Sequence, residues 1–516
     1  MHFIGWRCFT SILTFILFTL PLSADDLSPQ AVKAALPELE KLIEQTMRST
    51  GVPGLSIAVV YQDKVVYLKG FGVKEVGKEG KVDADTVFML ASVSKPVAST
   101  VLAALVGEGT IKWDDRIIDH DPGFQMYDSW VTRQVTIRDM LCHRSGLVDH
   151  AGDLLEDLGF SRSEILYRLR YSRPGSSFRT ESVYTNFGYS EAGFAGVKPT
   201  GKSWEEVATE KLFRPLGMKS SSYRFADYEA AQNRALLHVR DKGKWVNKYV
   251  RQPDAQAPAG GASSTAREMA QFLRLQLAEG KHDGKQIIAT EALAETHRPQ
   301  IINHPPANPA RDHAGACGMG WNVNVRDDGK VTWGHSGAFA LGAATVVTLL
   351  PGENLGIVVL TNGEPMGVPE SISMSFIDLV LKGKLERDWL AAMQPVFKEL
   401  MKPPYGTKLD YTKPPAGASP SLSLEAYVGK YHNDYYGDLE VQEKDKTLQL
   451  RIGPKFVFPL QHWDRDIFTY QPIGENAGGL SGVTFLVGSD RKADRVVVEN
   501  LDVTKQGTFT RVVDKK

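Results

Sequence analysis

Apolar and polar residues divide this chain into three regimes. Residues 29–47 read as a helical stretch. Residues 55–60, a polar turn at 62–64 and residues 65–68 read as a β-hairpin. From 96 to about 277 helical periodicity prevails, broken by many turn and loop signals. Strand-like apolar runs return at 318–325, 330–333, 342–349 and 355–360, and two further helices are predicted over about 371–382 and 386–401. Strands at both ends of a largely helical insert predict one sheet built from the two ends of the domain and packed against a helical subdomain.

The remainder differs in kind. Residues 403–423 carry five prolines with Gly and Ser, the mark of a linker, expected to share few contacts with either side. Beyond it, runs at 439–441, 447–452 and 495–498 have strand character at short spacing, which predicts a small all-β sandwich or barrel over 424–516. A length of 516 residues with 42% hydrophobic and 23% charged residues fits two globular domains. The formal net charge of −1 leaves no basic field, which argues against nucleic acid as a partner.

Arg7, an apolar run at 12–22 and the small-residue site Leu22-Ser23-Ala24 predict an export signal over 1–24, removed before Asp25. The run is short for a membrane span, and no later segment approaches eighteen apolar residues, so no stable span is expected after cleavage and the protein is expected in the periplasm or outside the cell. Without the signal only Cys142 and Cys317 remain. Two cysteines make no disulfide framework, so buried free thiols are expected, with a bridge between them as the alternative.

Candidate chemistry starts at Ser92-Val93-Ser94-Lys95, which places a hydroxyl and an amine on one side of a predicted helix start. Unpaired N–H groups there suit the negative charge that develops during acyl transfer. Apolar segments on both sides imply burial of Lys95, which lowers an amine's pKa toward that of a useful base. The bland alternative is a capping serine with a surface lysine. A second Ser-x-x-Lys at Ser489 lies in a polar turn and reads as a solvated loop.

Two further signals follow at long range. Tyr184-Thr185-Asn186 sits in a polar loop ahead of a helix starting near Gly188, and Gly334-His335-Ser336-Gly337-Ala338 is read as joining two strand-like runs. Gly334-x-Ser336 falls short of a nucleophile elbow because Ala338 occupies its last position. His143, His150 and His313 lack ligand spacing with other donors, so no metal and no cofactor is expected, and His143 is read as structural at a helix end.

With these motifs the chain resembles the penicillin-recognising serine hydrolases: class C β-lactamases, S12-type peptidases and β-lactamase-like esterases. The resemblance spans about 39–378. It includes Thr136 to Leu147 (TIRDMLCHRSGL), Pro215-Leu216-Gly217-Met218, Pro258-Ala259-Gly260-Gly261 with Ser264-Thr265-Ala266, and Gly318-Met319-Gly320-Trp321. Tyr427 to Tyr431 (YVGKY) resembles the lipocalin-like domain appended to some S12-type peptidases.

The resemblance implies an α/β (α+β) β-lactamase/transpeptidase-like domain, with an antiparallel sheet and a helical subdomain, over 25–401. A linker over 402–423 and a barrel-like domain follow. It implies Ser92 as nucleophile, Lys95 and Tyr184 sharing the base work, Asn186 bonding Lys95 or substrate, and an oxyanion hole from the N–H groups of Ser92 and Ala338. His335, Ser336 and Gly337 would line the substrate site. Many relatives carry Lys-Thr-Gly where this chain has His335-Ser336-Gly337. A mostly neutral histidine in place of a permanent cation favours an esterase or peptidase on small or D-residue-containing substrates over a β-lactamase. The alternatives are a class C-like β-lactamase on a β-lactam-like substrate and a non-catalytic penicillin-binding receptor, and a homo-oligomer is left open.

Overall fold

The computed structural model describes residues 27–513; the expected export signal at 1–24 lies outside the described residues. Helix α1 (Pro29–Thr50) starts on the Ser28 side chain, which accepts from the Ala31 N–H, and stops at Gly51, whose φ of 69° few other residues tolerate. It leads into β1 (Gly54–Tyr61) and β2 (Lys64–Gly72), the predicted hairpin.

The chain then builds the helical subdomain, of which three helices matter most here. These are α2 (Ser94–Gly107), α3 (Ile137–Leu141) and α4 (Asn186–Val197). Helices α5 (Ala257–Gly260) and α6 (Ala266–Leu277) close that layer. Six strands follow: β3 (Ile301–His304), β4 (Gly315–Cys317), β5 (Asn322–Val325), β6 (Val331–Phe339), β7 (Ala343–Leu350) and β8 (Leu355–Thr361). With the hairpin they form one antiparallel sheet in the order β2-β1-β8-β7-β6-β5-β4-β3.

Both sheet faces are covered, which explains the unbroken apolar runs in its central strands. Leu55, Ile57, Val59, Val346 and Val359 face α1 and α7 (Val368–Lys382). Ala58, Val60, Val347, Val358 and Leu360 face the helical layer through α2 and its neighbours. The sheet therefore joins the two ends of the domain, as the pattern predicts.

Two sequence readings are corrected. Residues 318–325 are not one strand: β4 ends at Cys317, Gly318–Trp321 turn, and β5 begins at Asn322. Gly334 to Ala338 is not a connection but the body of β6. The glycines there look like a turn, yet Gly337 serves close approach instead: a Cβ on it would sit 2.3 Å from the Leu90 carbonyl oxygen.

After α8 (Trp389–Leu400), eight antiparallel strands close a barrel. They are β9 (Gly429–Asn433), β10 (Gly437–Lys444), β11 (Thr447–Ile452), β12 (Phe456–Asp464), β13 (Ile467–Tyr470), β14 (Ser481–Val487), β15 (Ala493–Val498) and β16 (Thr508–Arg511). Alternate residues such as Tyr431, Leu439, Val441 and Leu450 fill its interior. The proline-rich stretch is no free linker. Tyr405 and Tyr411 are buried, the Gly478 N–H donates to the Tyr405 hydroxyl at 2.7 Å, and Trp463 Nε1 donates to the Lys413 carbonyl at 2.9 Å, so the segment straps the barrel.

The barrel also docks on the helical layer. The Gly152 N–H donates to the Tyr435 hydroxyl at 2.8 Å, Arg168 Nη1 to the Tyr435 carbonyl at 3.1 Å, and Gln506 Nε2 to the Tyr171 carbonyl at 3.0 Å. Tyr435→Phe would leave the buried Gly152 N–H without its acceptor. We expect a loss of about 1–3 kcal/mol, the usual cost of such an orphaned group. Calorimetry should show it as a lower first unfolding transition; an unchanged profile would mean that this contact does not hold the domains together.

Candidate active site

Ser92 lies in the 3-10 turn Ala91–Val93 that feeds α2. Ala91 adopts φ 47°, a left-handed conformation that costs an L-residue ~1–2 kcal/mol. Its methyl group is buried in a cluster with Met89, Phe339 and Ala343, which fixes the turn that presents Ser92.

Lys95, three residues on, is completely buried, more so than the sequence implies. Its Nζ stands 3.3 Å from Ser92 Oγ and donates to Asn186 Oδ1 at 2.7 Å and to the Ala259 carbonyl at 3.0 Å. Those two oxygens can only accept, so they occupy two N–H bonds and leave the remaining valence of nitrogen facing Ser92. Burial lowers the amine from 10.5 to about 7, and the Asp153 carboxylate opposes that drop.

The Tyr184 hydroxyl donates to Ser92 Oγ at 2.8 Å, and its ring lies 4.5 Å from Lys95 Nζ. Burial raises the phenol well above its usual range, so it retains its proton and Lys95 is the group able to accept one. Thr185 precedes α4, which places Asn186 at the first helical position, two residues earlier than the sequence suggests.

His143 follows α3 with φ 61°, at a helix end as expected. Its ring centroid lies 4.6 Å from that of Tyr184, and its Nδ1 accepts the Thr185 N–H at 3.2 Å. It is a neutral, buried support for the Tyr184-Thr185-Asn186 loop.

The polar groups that hold Asn186 from behind have no motif in the sequence. Asn186 Nδ2 donates to Asp153 Oδ2 at 2.8 Å, and His150 Nδ1 meets the same oxygen at 2.7 Å. Asp153 thus fixes which end of the Asn186 amide faces Lys95. Nothing in the spacing of His150 and Asp153 signals this, because Asn186, which Asp153 orients, lies 33 residues further on. Among the described residues no cluster of His, Cys, Asp or Glu could hold a metal. Cys142 and Cys317 are buried and unbridged.

The edge of β6 forms the facing wall. Pairing with β5 stops at Gly334, whereas pairing with β7 continues to Phe339, which leaves one edge of 335–339 without a strand partner. Gly337 lies so close to Ser92 that an added Cβ would also fall 3.0 Å from its backbone nitrogen, which brings the 337–338 backbone alongside it.

His335 pairs with Val347 and lies on the site face, half-buried. Its Nδ1 is 2.6 Å from the Ser336 carbonyl, which can only accept. Nδ1 therefore carries the hydrogen, and Nε2 is left as an acceptor. Burial, with Lys95 nearby, lowers this imidazole to about 3 and keeps it neutral.

Ser336 pairs with Val346 and faces the other side of the sheet, beside the buried Glu370 of α7, so its side chain does not join Ser92 and Lys95. Next to the constellation is a cavity of about 450 Å3 between the helical layer and the barrel. Its wall includes His150, Asp153, Ala340, Met401, Tyr435 and Glu475.

A Ser-Lys-Tyr constellation with its lysine buried, beside an open strand edge, is suited to acyl transfer through the serine. Residues 39–378 match the family model described as Beta-lactamase, and the chain belongs to that serine β-lactamase and penicillin-binding-protein-like family. Residues 413–511 match a domain of unknown function, DUF3471. Penicillin-binding protein 4 of Amycolatopsis lactamdurans is 30% identical over 60% of this chain and 81% of its own length. Unguisins hydrolase ungD' of Aspergillus campestris is 23% identical over 78% of this chain and 77% of its own. The octameric penicillin-binding protein homologue from Pyrococcus abyssi shares the fold: TM-score 0.57 and 21% identity, over 92% of this chain and all of that one.

Lys95 stands beside Ser92 Oγ with its amine brought close to neutral pH by burial. The rate of Ser92 phosphonylation by a fluorophosphonate should fall about tenfold per pH unit below about 7. Asp153 stabilises the ammonium form, so Asp153→Asn should move this limb to lower pH. A limb that stays in place, or moves up, would show that Asp153 does not set the charge of Lys95.

Proposed function

We propose that this chain is an exported, metal-free serine hydrolase that cleaves small esters or short peptides through an acyl-enzyme on Ser92. The carrying observation is the Lys95 amine, with both of its carbonyl partners satisfied and its free valence directed at Ser92 Oγ.

In this reading the neutral amine takes the Ser92 proton as Oγ attacks the carbonyl carbon. The oxyanion is received by the N–H groups of Ser92 and Ala338. Tyr184, which keeps its hydrogen, passes it to the leaving group and is reprotonated from the Lys95 ammonium. Water then attacks the acyl-enzyme with Lys95 again as base, and the Lys95 ammonium returns that proton to Ser92 Oγ as the acyl C–O bond breaks. The cavity beneath the barrel offers an apolar place for the substrate's side chain, with Val148, Leu154 and Met401 in its wall. The fungal relative's hydrolase name supports hydrolysis, and Arg7 with the apolar run at 12–22 supports export.

A neutral His335 presenting an acceptor disfavours substrates anchored by a carboxylate, which supports an esterase or peptidase over a β-lactamase. The experiment that tests the reading is labelling with a fluorophosphonate followed by peptide mapping. The adduct is expected on Ser92, and its appearance on Ser336 or Ser489 would overturn the mechanism. On a panel of p-nitrophenyl esters, D-aminoacyl anilides and a chromogenic cephalosporin, turnover of the cephalosporin should be slowest.

The site also predicts a switch in preference. His335→Lys places a cation where an acceptor stands, and a charge-assisted hydrogen bond is worth about 1.5–3 kcal/mol, or ten- to hundredfold. The ratio of kcat/KM for carboxylate-bearing over neutral substrates, measured at pH 8, should rise by about that factor. An unchanged ratio in a folded variant would mean that residue 335 does not meet the substrate.

A further inference from the structure

The barrel reaches the hydrolase domain at a point two residues from the proposed oxyanion donor. Ala340 follows the last residue of β6, and its N–H donates to Glu475, which belongs to the loop between β13 and β14 of the barrel. The loop is itself anchored. Asp157 accepts from the Glu475 N–H at 2.8 Å and from the Asn476 N–H and side-chain amide at 3.0 and 2.8 Å.

Arg251 completes the clasp. Its Nη2 bonds Glu156 at 2.6 Å, its Nε lies 3.6 Å from Glu475 Oε2, and its guanidinium sits 5.0 Å from the centre of the Phe339 ring. Two consecutive residues at the end of β6, Phe339 and Ala340, are thereby held by a cluster to which the barrel contributes one carboxylate. Beyond Gly334 the strand is held by β7 alone, and its edge toward Ser92 has no strand partner to brace it.

We propose that Glu475 is a positioning residue for the acyl-transfer site: by accepting the Ala340 N–H it fixes the end of β6, and with it the Ala338 N–H, against Ser92. The inference rests on the reading of Ala338 as an oxyanion donor. It makes the barrel a structural part of the active site and not an appended module. Glu475 also lines the cavity beneath the barrel, but this role requires no contact with the substrate. Its effect passes through the strand.

Reach, not charge, is the property the role requires. Glutamine keeps the acceptor oxygen at the same distance and loses only the attraction to Arg251. Aspartate keeps the charge but draws the oxygens back by one methylene, roughly 1.5 Å. The test compares Glu475→Gln, Glu475→Asp and Glu475→Ala in the full chain at pH 8, with p-nitrophenyl acetate and with fluorophosphonate labelling of Ser92.

A positioning role predicts that Gln stays within about threefold of the wild type. Asp and Ala should lose kcat by ten- to hundredfold with KM nearly constant, because the lost interaction belongs to the transition state. If Asp matches or exceeds Gln, Glu475 serves only as a counterion for Arg251 and the proposal is wrong. It is equally wrong if Ala, folded by circular dichroism, keeps full kcat. Wild-type protein that is not labelled at Ser92 would remove the parent reading, and this inference with it; a labelled wild type with unchanged variants removes the inference alone.

Discussion

Burying a lysine amine without a carboxylate in direct contact is the constraint around which the site is organised. A fully desolvated ammonium is costly, so the group either finds strong acceptors or gives up its proton near neutral pH. Here both happen. Asn186 and Ala259 supply two oxygens from helices 91 and 164 residues away in sequence, and burial brings the amine to about 7. Asp153, one bond removed through Asn186, moderates the drop without pairing with the lysine. A direct ion pair would hold the proton; an apolar pocket would expel it altogether. The intermediate arrangement leaves an amine that can gain and lose a proton during turnover.

Other features follow from placing that amine. Ala91 is held in a left-handed turn so that Ser92 projects toward it, and Gly337 lacks a side chain because the edge of β6 must pass within contact of Leu90 and Ser92. Tyr184 stays a phenol because the same burial that lowers an amine raises an acid. His335 is neutral for the first of those reasons, and its hydrogen is committed to its own strand.

The parts of the site legible in the sequence are those with short-range geometry. Ser92 and Lys95 declare themselves because three residues along a helix bring their side chains together, and the sheet declares itself because its buried strands are continuous apolar runs. Asp153 and His150 give no signal, since the link from Asp153 to Asn186 is made only by the packed helical layer. The glycines of 334–338 mislead for a physical reason: a glycine needed for close approach and one needed for a turn are the same letter. The prolines of 403–423 mislead likewise. They stop helix and strand, but Tyr405 and Tyr411 between them supply the apolar surface that ties the segment to the barrel.

What distinguishes Lys95 is that burial makes its amine give up its proton near neutral pH. The most direct measurement is a titration of its ε-carbon by NMR, in protein labelled with 13C-lysine and assigned by comparison with Lys95→Arg. One lysine resonance is expected to titrate near pH 7, apart from the rest, and to be missing from the variant. A Lys95 resonance that titrates near 10.5 with the surface lysines would contradict it.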